Sequence, residues 1–205
     1  MLFRSKDLNN SSGEWSLSAF NRPHEVSLTY IYELPFGPGK QFLKSGVWKP
    51  FAGGWSVSGV TTFESGPPIR VEAQFNNTGG VIPVLRASAV PGADPNVENR
   101  GPELWFNPAA FTQPADFTPG NVSRTHPTLR NPGFQNHDLT MTKRFALSAS
   151  QSLEFVASGF NFTNTANWNW PDSRIGPRSA PNANAGRIVG SNGGRILQLS
   201  LRFNF

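Results

Sequence analysis

The sequence predicts an all-β chain: an antiparallel transmembrane β-barrel segment, about five strands of a larger barrel, with long extracellular loops. Three observations predict it. The last eleven residues, Arg195 to Phe205, alternate apolar and polar side chains almost without fault. Charged residues make up only 15% of the chain, while aromatics reach 12% and Gly (20) and Pro (18) are abundant. That balance favours short strands and long irregular links over helix. Finally, the links between the alternating segments are short on one side and long on the other.

The first strand is expected near 24–34, with Val26, Leu28, Tyr30, Tyr32 and Leu34 opposite Glu25, Ser27, Thr29 and Glu33. The second lies near 54–64, where Trp55, Val57, Thr61 and Phe63 oppose Ser56, Ser58, Thr62 and Glu64. The third, near 138–146, carries Leu139, Met141 and Phe145 on its apolar face, with Lys143 breaking the pattern. The fourth, near 152–162, begins as Leu153, Phe155 and Ala157, but Phe160 and Phe162 change parity, so a bulge near Gly159 is expected. The fifth, 194–205, follows the turn residues Asn192-Gly193-Gly194 and places Leu197, Leu199, Leu201, Phe203 and Phe205 on one face. Its length suits a tilted membrane strand of about 9–11 residues.

These strands divide the chain into an upstream loop, 1–23, and a barrel portion, 24–205. The third and fourth strands are joined by a short turn around Ala146 to Gln151, and the first and second by Pro35 to Gly53. The links 65–137 and 163–193 are much longer and fall on the opposite side. Outer-membrane barrels show that asymmetry, with short periplasmic turns and long outer loops.

Other function classes find little support. The net charge of +5 and pI near 10.1 come from scattered Lys and Arg with no basic run, which argues against nucleic acid as a partner. With no cysteine there is no disulfide framework and no thiolate metal site. His24, His126 and His137 stand apart in no metal spacing, and His137 and Asp138 point to opposite faces of a strand. Neither a catalytic constellation nor a cofactor site is expected. Gly37-Pro38-Gly39-Lys40 is not a phosphate loop, because Pro38 lacks a donor and Gln41 follows the lysine; a turn is expected. The best binding candidate is Asn167-Trp168-Asn169-Trp170-Pro171-Asp172, with Arg174 and Arg178 nearby. Trp168 and Trp170 could stack on a polar ligand, or belong to an interfacial aromatic girdle. Residues 1–20 have no apolar signal core, and no run approaches the ~20 apolar residues of a membrane helix, which leaves a soluble chain or a part of a longer one.

Several segments resemble the closing region of TonB-dependent receptors. They are His24-Glu25-Val26, Tyr32 to Lys40, Gly53-Gly54-Trp55-Ser56-Val57-Ser58-Gly59, Trp105-Phe106-Asn107-Pro108-Ala109-Ala110-Phe111, Pro132 to Leu139, and Gly159-Phe160-Asn161-Phe162-Thr163-Asn164. The similarity is to the Oar-like subgroup, abundant in acidobacteria, which carries an N-terminal carboxypeptidase-regulatory-like domain. Leu199, Leu201, Phe203 and Phe205 resemble the signal read by the barrel-assembly machinery.

The resemblance implies a barrel of roughly 22 strands with a plug. Five strands and no plug therefore imply a portion of a longer protein, whose first residues lie outside the cell if Phe205 ends in the periplasm. The implied partners are outer-membrane lipid, the assembly machinery, an imported ligand, and TonB through an N-terminal part. The alternative is a soluble, secreted β-sandwich that binds carbohydrate through Trp168 and Trp170.

Overall fold

The computed structural model describes residues 14–43, 49–79 and 85–205. Part of the upstream loop (1–13) and short stretches of two links (44–48 and 80–84) lie outside the described residues. In chain order the strands are β1 (Glu25–Glu33), β2 (Trp55–Glu64), β3 (Glu72–Ala73), β4 (Ser88–Ala89), β5 (Phe111–Thr112), β6 (Phe134–Ala146), β7 (Ser152–Phe160), β8 (Asn167–Trp168), β9 (Arg174–Ile175), β10 (Ser191–Asn192) and β11 (Ile196–Asn204). A single helical turn, α1 (Lys49–Ala52), precedes β2. The chain divides into two compact units.

The first unit, residues 24–64, 134–167 and 193–205, is one five-stranded sheet in the order β1-β2-β6-β7-β11. Every neighbouring pair is antiparallel and follows chain order, so the sheet is an up-and-down meander. Alternating strand direction brings Glu64, Phe134, Phe160 and Ile196 to one end, where both long connections leave and return. At the other end β6 turns into β7 through Leu147 to Gln151. Leu147 N–H donates to the Gln151 carbonyl at 2.9 Å, and the Ser148 hydroxyl accepts the Gln151 N–H at 3.1 Å. The link from β1 to β2 also turns at this end. Lys40 N–H closes a turn on the Gly37 carbonyl at 3.1 Å, and its ammonium meets Glu33 at 2.5 Å. Gly37, at φ 103, takes a conformation other residues avoid, and a Cβ there would lie 2.6 Å from the Gly53 Cα.

Two boundaries differ from the periodicity. β6 starts at Phe134, four residues before 138, because Phe134 to His137 still find partners along Glu64 to Thr61. No bulge forms at Gly159: the pairing of β7 with β11 runs unbroken from Ser152–Asn204 to Phe160–Ile196. Parity changes instead because the strand stops. Asn161 turns the chain at φ 48, and Phe162 folds back until its ring would lie 2.9 Å from a Cβ on Gly159.

The second unit comprises residues 14–23, 65–133 and 168–192 among those described. Regular structure is scarce: β3 pairs in parallel with β9, and β4 antiparallel with β5. The long connections are nonetheless folded around a core containing Ile69, Val71, Phe106, Phe111, Leu129 and Ile175. The segment Trp105 to Phe111 shows how. Phe106, fully buried, packs edge-on to Phe111 at 6.0 Å, and Asn107 caps the single turn Pro108–Ala110 by accepting the Ala109 N–H at 3.1 Å. A β-sandwich needs two large facing sheets, whereas among the described residues every sheet but one is two-stranded. Phe106→Ala should cost about 3–5 kcal/mol, the range for truncating a buried phenylalanine. Hydrogen exchange should show it as lost protection at Ile69 and Leu129 while β6 and β7 keep theirs.

Candidate functional site

Directly paired residues of an antiparallel sheet share a face, so the register sorts every side chain of the meander. One face carries Val26, Leu28, Tyr30 and Tyr32 of β1 and Trp55, Val57, Gly59, Thr61 and Phe63 of β2. It continues through Leu139, Met141 and Phe145 of β6, then Leu153, Phe155 and Ala157 of β7. It ends on Leu197, Leu199, Leu201 and Phe203 of β11. The opposite face is mainly polar along its middle: Ser27, Thr29, Ser56, Ser58, Thr140, Thr142, Glu154, Ser158, Gln198, Ser200 and Arg202, interrupted by Ile31, Val60 and Val156, with Phe134, Phe160 and Ile196 at the long-connection end. On it Arg144, Glu154 and Arg202 follow one another across three strands.

The apolar face is accessible rather than covered within its unit, with Leu199 70% and Leu201 66% exposed. A contiguous apolar surface of this kind calls for an apolar environment. Aromatic side chains collect at the short-turn end, where Tyr32, Trp55, Phe145 and Phe203 lie on β1, β2, β6 and β11, with Leu153 of β7 between the last two. Phe205 continues that row and stacks on Phe203 at 6.0 Å. Trp and Tyr prefer the water–hydrocarbon boundary, where an apolar ring and a polar edge are both accommodated. Two glycines on this face are roofed by rings: Tyr30 covers Gly59 and Phe162 covers Gly159.

Lys143, which breaks the sequence pattern, is on the apolar face yet only 2% exposed. Its ammonium lies 4.7 Å from the Phe145 ring centroid and 5.5 Å from that of Trp55, and donates to the Gly53 carbonyl. A charge at such a position must be solvated by the protein itself. The Trp55 indole N–H donates to the Phe51 carbonyl at 2.9 Å, which ties α1 to the same corner. Periodicity gives no hint of this cage, since its acceptor is a backbone carbonyl ninety residues away.

At the opposite end polar side chains finish the strands. Asn161 N–H donates to Asp138 at 2.9 Å, while the Asn161 amide bonds the Thr165 backbone through both its atoms, at 2.9 and 3.0 Å. His137 lies on the apolar face, 3.1 Å from the Thr61 hydroxyl and edge-on to Phe63. Among the described residues no three His, Cys, Asp or Glu side chains gather as metal ligands.

In the second unit the four candidate ligand contacts are placed differently from one another. Trp168 is half-buried, edge-on to Trp105 at 5.9 Å, and the Trp105 indole N–H is bound to the Arg130 carbonyl at 2.7 Å. Trp170 is 65% exposed. The Arg174 guanidinium grips Asp172 through two bonds, 3.1 and 2.9 Å, and holds its carboxyl below the usual carboxylate range. Arg178 is exposed. The two indoles therefore do not share one role: one is packing, the other is surface.

His126 is half-buried, edge-on to Phe111 at 5.7 Å, and its Nδ1 accepts the Leu129 N–H at 3.2 Å. Burial lowers its pKa below the ordinary 6.5, so the fold holds the neutral ring. That contribution is complete well above pH 6.5 and is lost as pH falls below it toward the folded value. Exchange at the Leu129 amide should accelerate over that acidic range, in step with the His126 ring signals in NMR. The sheet faces make a second prediction. Leu199→Arg should cost about 2–4 kcal/mol in folding titrations into lipid vesicles, the cost of a lipid-facing charge at mid-depth. Ser200→Arg, on the polar face, should cost far less.

Residues 3–198 match the family model described as outer membrane beta barrel domain. No curated protein and no solved structure matches the chain. The match stops short of Leu199, Leu201, Phe203 and Phe205, but it spans nearly the whole chain. Its architecture also suits a wall with lipid on one face and a polar lumen on the other: the chain belongs to the outer membrane β-barrel domain family.

Proposed function

We propose that the chain is the closing portion of the barrel of a TonB-dependent receptor of the Oar-like kind. The full-length protein then imports a ligand across the outer membrane, a transport rather than an enzymatic role. The supporting observation is the open ladder. β1 and β11 each have a single neighbour among the described residues, and the backbone groups on their outer edges face the environment. In hydrocarbon each unpaired group costs several kcal/mol, so only a closed barrel is stable. Further strands would complete it, and the resemblance of segments such as Tyr32 to Lys40 and Gly159 to Asn164 implies a total of roughly 22.

In this reading Leu197, Leu199, Leu201 and Phe203 face lipid, and β11 pairs with the first strand of the barrel. The assembly machinery reads Leu199, Leu201, Phe203 and Phe205, and TonB engages an N-terminal part. The folded connections face outward, where Trp170 and Arg178 are the accessible candidates for ligand contact. Two measurements test this. The reading frame upstream of Met1 should encode a plug and about seventeen further strands, the remainder of a 22-stranded barrel. The full-length protein, extracted from its membrane, should bind the periplasmic domain of TonB. A heat-modifiable barrel with neither plug nor TonB binding would be a passive pore and would sink the proposal.

A further inference from the structure

We infer that the three outer segments of the second unit work as one body, locked by residues 14–21, so that none of the three moves alone. This stands on that unit's own geometry and holds whether or not the barrel imports a ligand. Residues 14–23 lead into β1, residues 65–133 join β2 to β6, and residues 168–192 belong to the connection from β7 to β11. Loops on separate hairpins of a barrel ordinarily fluctuate independently. Here they share a core and are laced by polar bonds.

Three side chains of the middle segment grip the first. Arg86, 8% exposed, pairs with Glu14 at 2.5 Å. Thr125, 1% exposed, donates to the Leu17 carbonyl at 2.6 Å. Arg130 donates to the Asn21 carbonyl at 3.1 Å and to its side-chain oxygen at 2.7 Å, while reaching the Gly66 carbonyl at 3.2 Å. The third segment is bound to the middle one through backbone. Glu72 N–H donates to the Ser173 carbonyl, Gln74 to Ile175, and Ile188 to Pro102, at 3.0, 2.9 and 2.7 Å. Arg130 connects the two sets, because its carbonyl holds the Trp105 indole that packs against Trp168. Buried donors of this kind are costly to leave unmade, so release of residues 14–21 is coupled to opening of the rest.

Native-state hydrogen exchange on the full-length protein in lipid nanodiscs tests the coupling, with Arg130→Met as the main variant. The amides of Glu72, Gln74 and Ile188, which bond to the Ser173, Ile175 and Pro102 carbonyls, should all exchange about tenfold faster or more, while β6 and β7 are unchanged. Acceleration confined to residues near Arg130, or none at all, would overturn the inference. Should Arg130→Met fail to assemble, Asn21→Ala, which removes one bond, should give the same pattern with a smaller factor. Unchanged rates at Gln74 and Ile188 in that variant would equally refute it.

Discussion

The two-residue period of the extended backbone, locked by an unbroken antiparallel register across five strands, governs everything else in the sheet. A slip of one residue in any strand would carry its whole apolar set to the polar side. The register from Glu25–Glu64 to Asn204–Ser152 contains no bulge, so the sorting made at one strand is inherited by the next. Lys143 follows from that inheritance. Its place on the apolar face is imposed by Leu139 and Met141 on the same strand, and the chain meets the resulting charge with two rings and a carbonyl.

The second unit solves a different problem. Rich in Gly, Pro and Asn, it has few ladders to satisfy its backbone, and buried polar side chains take over that task. Asn77 donates through its amide to the carbonyls of Pro114, Ala115 and Thr118. Thr125 and Arg130 do similar service at carbonyls far away in sequence. A core of modest size then suffices, because few polar groups are left to pull the connections back into water.

The strands were legible because alternation is a local signal that survives in the amino-acid order. Val26 to Tyr32 and Leu197 to Phe203 show it plainly, and the loop asymmetry followed from simple spacing. What escaped was non-local. Residues 134–137 extend β6 because β2 is still beside them, and Phe162 changes parity because Asn161 reverses the chain. The core around Phe106 was hidden for the same reason: its members come from short apolar pieces without period, brought together by tertiary contact. For the candidate ligand contacts, sequence grouped Trp168 with Trp170 by proximity, while packing against Trp105 separates them.

One carboxamide has a wider bearing. Asn167 bonds both backbone groups of Gln135, accepting the N–H at 2.9 Å and donating to the carbonyl at 2.8 Å. It thus imitates a strand neighbour with a side chain. β6 runs thirteen residues and β7 only nine, and the borrowed amide serves the stretch of β6 that its shorter neighbour leaves behind. The rim of the wall is in that sense upholstered rather than built: its height can be extended past the last shared rung by a passing side chain.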